Sequence, residues 1–237
     1  MDELQVKSYY DTLVNNKSRF TNFSFVEDLN IDISFFVENC CGDRKAFIGQ
    51  YTDNEKNFLF NFVRKIKPKR IIEFSPCNGY LTCVINGAAG GDDEIEHFES
   101  YEIDLDCAKR ASINLVGNNF KKTKVVEGDV LEKMDLDKLR TCDLLFIDSN
   151  HDEWFVKEYI KRFFPLLPKN CWVHMHDAWF DPINDETRLV TDFIKSRNIT
   201  EYFYVQDILR DLGVKDEYPN PFNPIETEQS TALWFRI

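Results

Sequence analysis

Two segments about seventy residues apart constrain this chain most: RIIEFSPCNGY at 70–80 and CDLLFIDSNH at 142–151. Each opens with a short run of β-branched and aromatic residues, then stops at an acidic or small polar residue where a strand ends and a loop begins. The pattern predicts that Glu73 and Asp148 stand at the carboxyl ends of two strands. Ligands of an open parallel sheet bind in the crevice outside such ends, so both carboxylates are expected to project into one site.

Around these segments strands and helices alternate. Strands are predicted at 70–74, 98–103, 123–127, 143–147, 171–175, 202–206 and 231–236, with helices near 80–88, 106–119, 152–164 and 186–197. That alternation argues for a parallel sheet covered by helices on both faces. An earlier helix is read from the capping-box spacing of Thr52 and Glu55, followed by Phe58, Leu59, Phe62, Val63 and Ile66 at helical intervals until Pro68. Residues 1–50 read as an amphipathic helical segment beside the main domain, which is expected to span 51–237. PNPFNP at 219–224 reads as a rigid extended loop between the last two strands, suited to a lid or a subunit contact.

The composition narrows the partners. A chain of 237 residues with 43% apolar content can form one large α/β core. The formal charge of −12 is spread along the chain, and short basic clusters such as Lys121, Lys122 and Lys124 are surrounded by acids. This disfavours a nucleic-acid partner and points to a small substrate. Seven cysteines without CxxC spacing read as reduced intracellular thiols. The charged amino terminus, and the lack of any run of membrane-spanning length, predict a soluble, cytoplasmic protein free to form a homodimer.

The chemistry lies at the strand ends. Gly79 opens a helix six residues after Glu73, where backbone amides can approach a ligand, although one glycine in a turn is by itself usually a turn requirement. SYEID places Glu102 and Asp104 after the second strand, where a carboxylate can accept both hydrogen bonds of a ribose diol or stand as a solvated loop acid. KVVEGDV places Asp129 after the third strand, either facing an adenine amino group or forming a turn with Gly128. Asp148, His151, His176 and Asp177 gather at two adjacent strand ends, and such convergence of titratable groups marks a candidate site.

With IDSNH, FFPLLPKNC and HMHD in order, the chain resembles the class I S-adenosylmethionine-dependent methyltransferases, in the group whose strands end in IDGDH and HD. The resemblance is good over about residues 45–180. It implies a Rossmann-like, seven-stranded, mostly parallel sheet whose last strand is antiparallel, and S-adenosylmethionine as cofactor. By position, Glu73, Ser75 and Gly79 would hold the methionine part, Glu102 the ribose, Asp129 with Val130 the adenine, and Asp148 the methyl-transfer end. Ser75 and Cys77 depart from the family, standing where its first two glycines belong, and their side chains are expected to crowd the turn.

The resemblance implies methyl transfer to a hydroxyl of a small molecule, a sugar or a natural product. His151 is then the expected base, with Asp148 and His176 as its catalytic neighbours. Magnesium-dependent relatives use acids that match Asp148 and Asp177, but His176 stands where an oxygen ligand often sits, and Mg2+ prefers an all-oxygen octahedron. Two other functions fit the same sheet. One is a nicotinamide-dependent oxidoreductase, against which the lack of G-x-G-x-x-G counts. The other is a methyltransferase-like binding protein that has lost its cofactor. Acceptor specificity is expected to lie in residues 20–51 and 178–187.

Overall fold

The computed structural model describes residues 51, 53–178, 184–211, 218–219, 227–228 and 231–237. The amino-terminal segment, Thr52, the loop at 179–183 and most of PNPFNP lie outside the described residues. Helices are α1 (Asp53–Ile66), α2 (Tyr80–Ala88), α3 (Leu105–Gly117), α4 (Val130–Lys133), α5 (Leu136–Leu139), α6 (Glu153–Arg162), α7 (Asp185–Ser196) and α8 (Val205–Asp211). Strands are β1 (Arg70–Phe74), β2 (His97–Glu102), β3 (Thr123–Glu127), β4 (Leu144–Ile147), β5 (Trp172–Met175), β6 (Tyr202–Tyr204), β7 (Tyr218–Pro219), β8 (Thr227–Glu228) and β9 (Leu233–Arg236).

Seven of these strands form one sheet in the order β3-β2-β1-β4-β5-β9-β6, and β7 pairs with β8 apart from it. Strands β1 to β5 pair in parallel with one another, and β9 is antiparallel to both β5 and β6. The order reverses between β1 and β4, which opens a crevice at their carboxyl ends.

Side chains of β1 alternate between the two faces. Ile71 packs with Phe58, Phe62, Val84 and Trp234 under α1 and α2. Ile72 and Phe74 pack with Tyr159, Phe163 and Phe164 under α6. This period-two burial explains why β1 reads as an unbroken apolar run around Glu73. At the opposite end from the crevice, Asp143 accepts the Lys69 and Arg70 amides at 3.1 and 3.0 Å and the Arg70 guanidinium at 2.6 Å. That clamp sets the register of β1 against β4.

Two expected boundaries move. The strand at 202–206 stops at Tyr204 because the backbone turns into α8 at Val205. The helix at 152–164 ends at Arg162, and Phe164–Leu166 tightens into a 3-10 turn around Pro165. The capping box of Thr52 and Glu55 lies partly outside the described residues, and Glu55 accepts the Ala232 amide at 3.0 Å, which ties α1 to the segment leading into β9. Among the described residues, no helix is long and apolar enough to cross a membrane.

Candidate active site at the strand ends

The turn after β1 keeps a glycine-like shape with few glycines. Ser75 and Cys77 take positive φ values of 58° and 52°, and Gly79 follows at 79°. Left-handed backbone at a non-glycine residue costs roughly 1–2 kcal/mol. The crowding expected from these side chains is thus met by strain, with the turn's path kept. At Gly79 a side chain is excluded outright, since a Cβ there would lie 3.0 Å from Ala111 Cα on α3. Asn78 completes the contact: its carbonyl accepts from Asn114 and its side-chain oxygen from Arg110 Nε, both at 2.7 Å. The N-cap of α2, Gly79, makes no side-chain cap hydrogen bond. Ser75→Gly is expected to relieve about 1 kcal/mol and raise Tm by about 2–4 °C in a thermal melt.

Glu73 is 1% exposed and points under α2, on the face of Ile71. Its Oε2 accepts from Thr82 at 2.7 Å and Ser100 at 2.5 Å, while Oε1 is buried without a partner among the described residues. It is therefore placed behind the turn, and not at the open strand end. Burial lifts its carboxyl from the ordinary 4.5 to about 7, with the two hydroxyls opposing the rise. Because the folded state favours the proton, this group's contribution is fully present below 4.5 and is lost as pH rises through about 7. Glu73→Gln should flatten the stability decline over that window in urea titrations run at stepped pH.

Glu102 is 5% exposed at the end of β2. Its two oxygens accept the Cys77 and Asp104 amides, each at 2.9 Å, so it joins the β1 turn to the start of α3. Asp104 caps α3 by accepting the Asp106 and Cys107 amides. Asp129 caps α4 through the Leu131 amide at 2.8 Å, and Gly128 bonds the Glu102 carbonyl, which brings Asp129 beside the β2 end. Val130, expected among the cofactor-binding residues, is buried beside Asp129 in the cluster that holds Tyr101. Ile103, next to Glu102, is 67% exposed and offers the apolar surface there.

The β4 and β5 ends carry an alternating chain of acids and imidazoles. His176 Nδ1 lies 3.5 Å from Asp148 Oδ1 and 3.3 Å from Asp177 Oδ1, and its Nε2 lies 3.7 Å from Glu55. Tyr51 stacks on the His176 ring with centroids 3.8 Å apart. Burial works against charge on His176, but the acids around it, Asp148 foremost, hold its pKa well above the usual value. His151 Nε2 lies 3.5 Å from Asp177, its Nδ1 contacts Glu186, and Glu186 also accepts from Tyr159 at 2.6 Å. Asp177 takes a positive φ of 54°, with its amide on Thr231 and its carbonyl on Asn184. Burial tends to raise Asp177, yet His151 and His176 hold it well below the carboxylate range.

These contacts bear on the expected role of His151 as base. Asp177 and then Glu186 push its pKa up to about 10, so at neutral pH it is an imidazolium without a lone pair to accept a substrate proton. Asp148, His176 and Asp177 each present a ligand atom, all within 4.8 Å of one another, a spacing that fits a divalent ion.

Residues 76–178 match a family model described as a methyltransferase domain. That stretch, somewhat under half of the chain, resembles a methyltransferase domain. An O-methyltransferase of Bacillus cereus in complex with SAH aligns with a TM-score of 0.57 at 13% identity, over 98% of this chain and 100% of its own. A Klebsiella pneumoniae protein described as a candidate O-methyltransferase aligns at 0.54 and 15% identity, over 98% and 96% of the two chains. The cofactor-bound Rv0187 protein of MTB aligns at 0.50 and 15% identity, over 100% and 90%. No curated protein matches the sequence. At such low identity these likenesses establish the fold alone, a Rossmann-like sheet with its last strand antiparallel.

Among the described residues near the strand ends, the sequence reading missed Tyr51, Ile103 and Glu186. Glu186 sits in the first turn of α7, where acids are common for dipole reasons, so its sequence context hid its pairing with His151. Ile103, exposed and apolar beside a candidate ribose carboxylate, was the one readable signal.

Proposed function

We propose that this chain transfers the methyl group of S-adenosylmethionine to a hydroxyl of a small molecule, a sugar or natural product. The observation that carries the reading is the left-handed turn after β1 held by Glu102, with Asp148 and Asp177 following at the β4 and β5 ends of the same crevice. Each Glu102 oxygen has a second lone pair for a ribose hydroxyl. Ile103 and Asp129 flank the place of the base. The unpartnered Glu73 Oε1 and the uncapped α2 amides suit the ammonium and carboxylate of the methionine part. The acidic surroundings favour the sulfonium charge.

Methyl transfer is an in-line displacement, in which alignment alone can supply about 7–11 kcal/mol of the barrier reduction. With His151 held as a cation, the acceptor's proton falls to Asp148, the partly exposed carboxylate beside His176. A divalent ion, where bound, would be held by Asp148, His176 and Asp177 and would act as a Lewis acid on the acceptor oxygen. The imidazole in that set suits manganese or zinc better than magnesium. A small acceptor accords with the net charge of −12.

Calorimetric titration of the full chain separates the alternatives. Saturable binding of S-adenosylmethionine and SAH, with none of NAD, is the expected result. Failure to bind either cofactor form would leave a binding protein on a methyltransferase fold.

A further inference from the structure

Turn 77–79 lies along one face of α3. Gly79 abuts Ala111 and Asn78 bonds Arg110 and Asn114, while Glu102 accepts the amides of both Cys77 and Asp104, and Asp104 in turn accepts the Cys107 amide, which brings Cys77 and Cys107 to one corner at the start of α3. Both cysteines are free and half-buried, whereas the remaining described cysteines are buried. Arg110 Nη2 stands 3.2 Å from Cys107 Sγ, and Cys107 lies in the first turn of α3; both features favour a thiolate. We propose that Cys77 and Cys107 form a reversible dithiol–disulfide site that takes peroxide as oxidant and controls cofactor binding.

The chemistry balances with one peroxide. The Cys77 thiolate attacks a peroxide oxygen, the O–O bond breaks, and the departing hydroxide takes up the proton lost by the Cys77 thiol to leave as water, which gives a sulfenic acid. The Cys107 thiolate then attacks that sulfur, forming the S–S bond and releasing hydroxide, which takes up the Cys107 proton as the second water. Burial and the neighbouring thiol hold Cys107 above its usual range against the pull of Arg110, which fits the slower, resolving role. A disulfide sets its sulfurs about 2.05 Å apart, far closer than any non-bonded contact, so closure must draw Cys77 toward α3. The Cys77 amide is held by Glu102 at 2.9 Å, and that bond is the one disturbed. The consequence for affinity rests on the cofactor reading above.

The test treats the full chain with hydrogen peroxide, maps disulfides by non-reducing peptide mass spectrometry and titrates SAH before oxidation, after it, and after dithiothreitol. A Cys77–Cys107 linkage, an affinity loss of tenfold or more and recovery on reduction are expected. Cys107→Ser should bind SAH like the reduced protein and be indifferent to peroxide. Absence of the linkage, unchanged affinity in the bridged protein, or equal peroxide sensitivity in Cys107→Ser would each overturn the proposal. If the reduced protein does not bind SAH, the cofactor reading fails, while presence or absence of the mapped linkage still decides the thiol chemistry.

Discussion

Exchanging Glu102 for glutamine is expected to weaken SAH binding about a hundredfold, nearly 3 kcal/mol. The carboxylate accepts two backbone amides at 2.9 Å and, in the proposed complex, two ribose hydroxyls. Glutamine turns an NH2 toward an N–H or a hydroxyl on one side, so at least one buried donor loses its acceptor. At 5% exposure little water reaches the gap. The turn itself should loosen, lowering stability by about 1–3 kcal/mol in a thermal melt. Calorimetry at a temperature well below the melt separates the two effects. Unchanged affinity would mean that Glu102 serves only the turn.

Asp177→Asn is expected to lower kcat about a hundredfold while SAH affinity stays within about threefold, since shifts of about 1 Å in reacting groups cost that much. Asp177 lies between His151 and His176 and so positions the Asp148–His176 pair. In the native protein His151 should remain protonated from pH 6 to 8 in an NMR titration, because its pKa is about 10. Its contribution to stability is complete below the ordinary 6.5 and is lost as pH rises through about 10. In the variant its largest stabilising partner is gone, so the titration should move toward neutrality. A full-rate Asp177→Asn enzyme with an unmoved His151 titration would refute the linked network.

The strands were readable because each apolar run is bounded by polar or glycine-containing turns, and β1, β4 and β5 are buried on both faces. Helix α8 was not, because seven residues directly after a strand show too little periodicity to be told from its continuation. Glu73 was read as standing at the strand end, and it is the penultimate residue of β1, one before Phe74. Side-chain parity then sends Glu73 under α2, where Thr82 and Ser100 meet it. Ser75 and Cys77 were identified as departures from a glycine pattern, but their left-handed backbone depends on the Glu102 and α3 contacts that hold the turn.

Chain order alone carried the α/β alternation, the crevice and the carboxylates delivered to it, because these follow from local periodicity and from where each strand must stop. Which groups hold protons, and which side chains meet, came only from folding. His151 finds Glu186 across 35 residues and Glu55 finds the Ala232 amide across 177. An acid or an imidazole has no fixed charge state until burial and its neighbours assign one, and contacts between distant segments supply both.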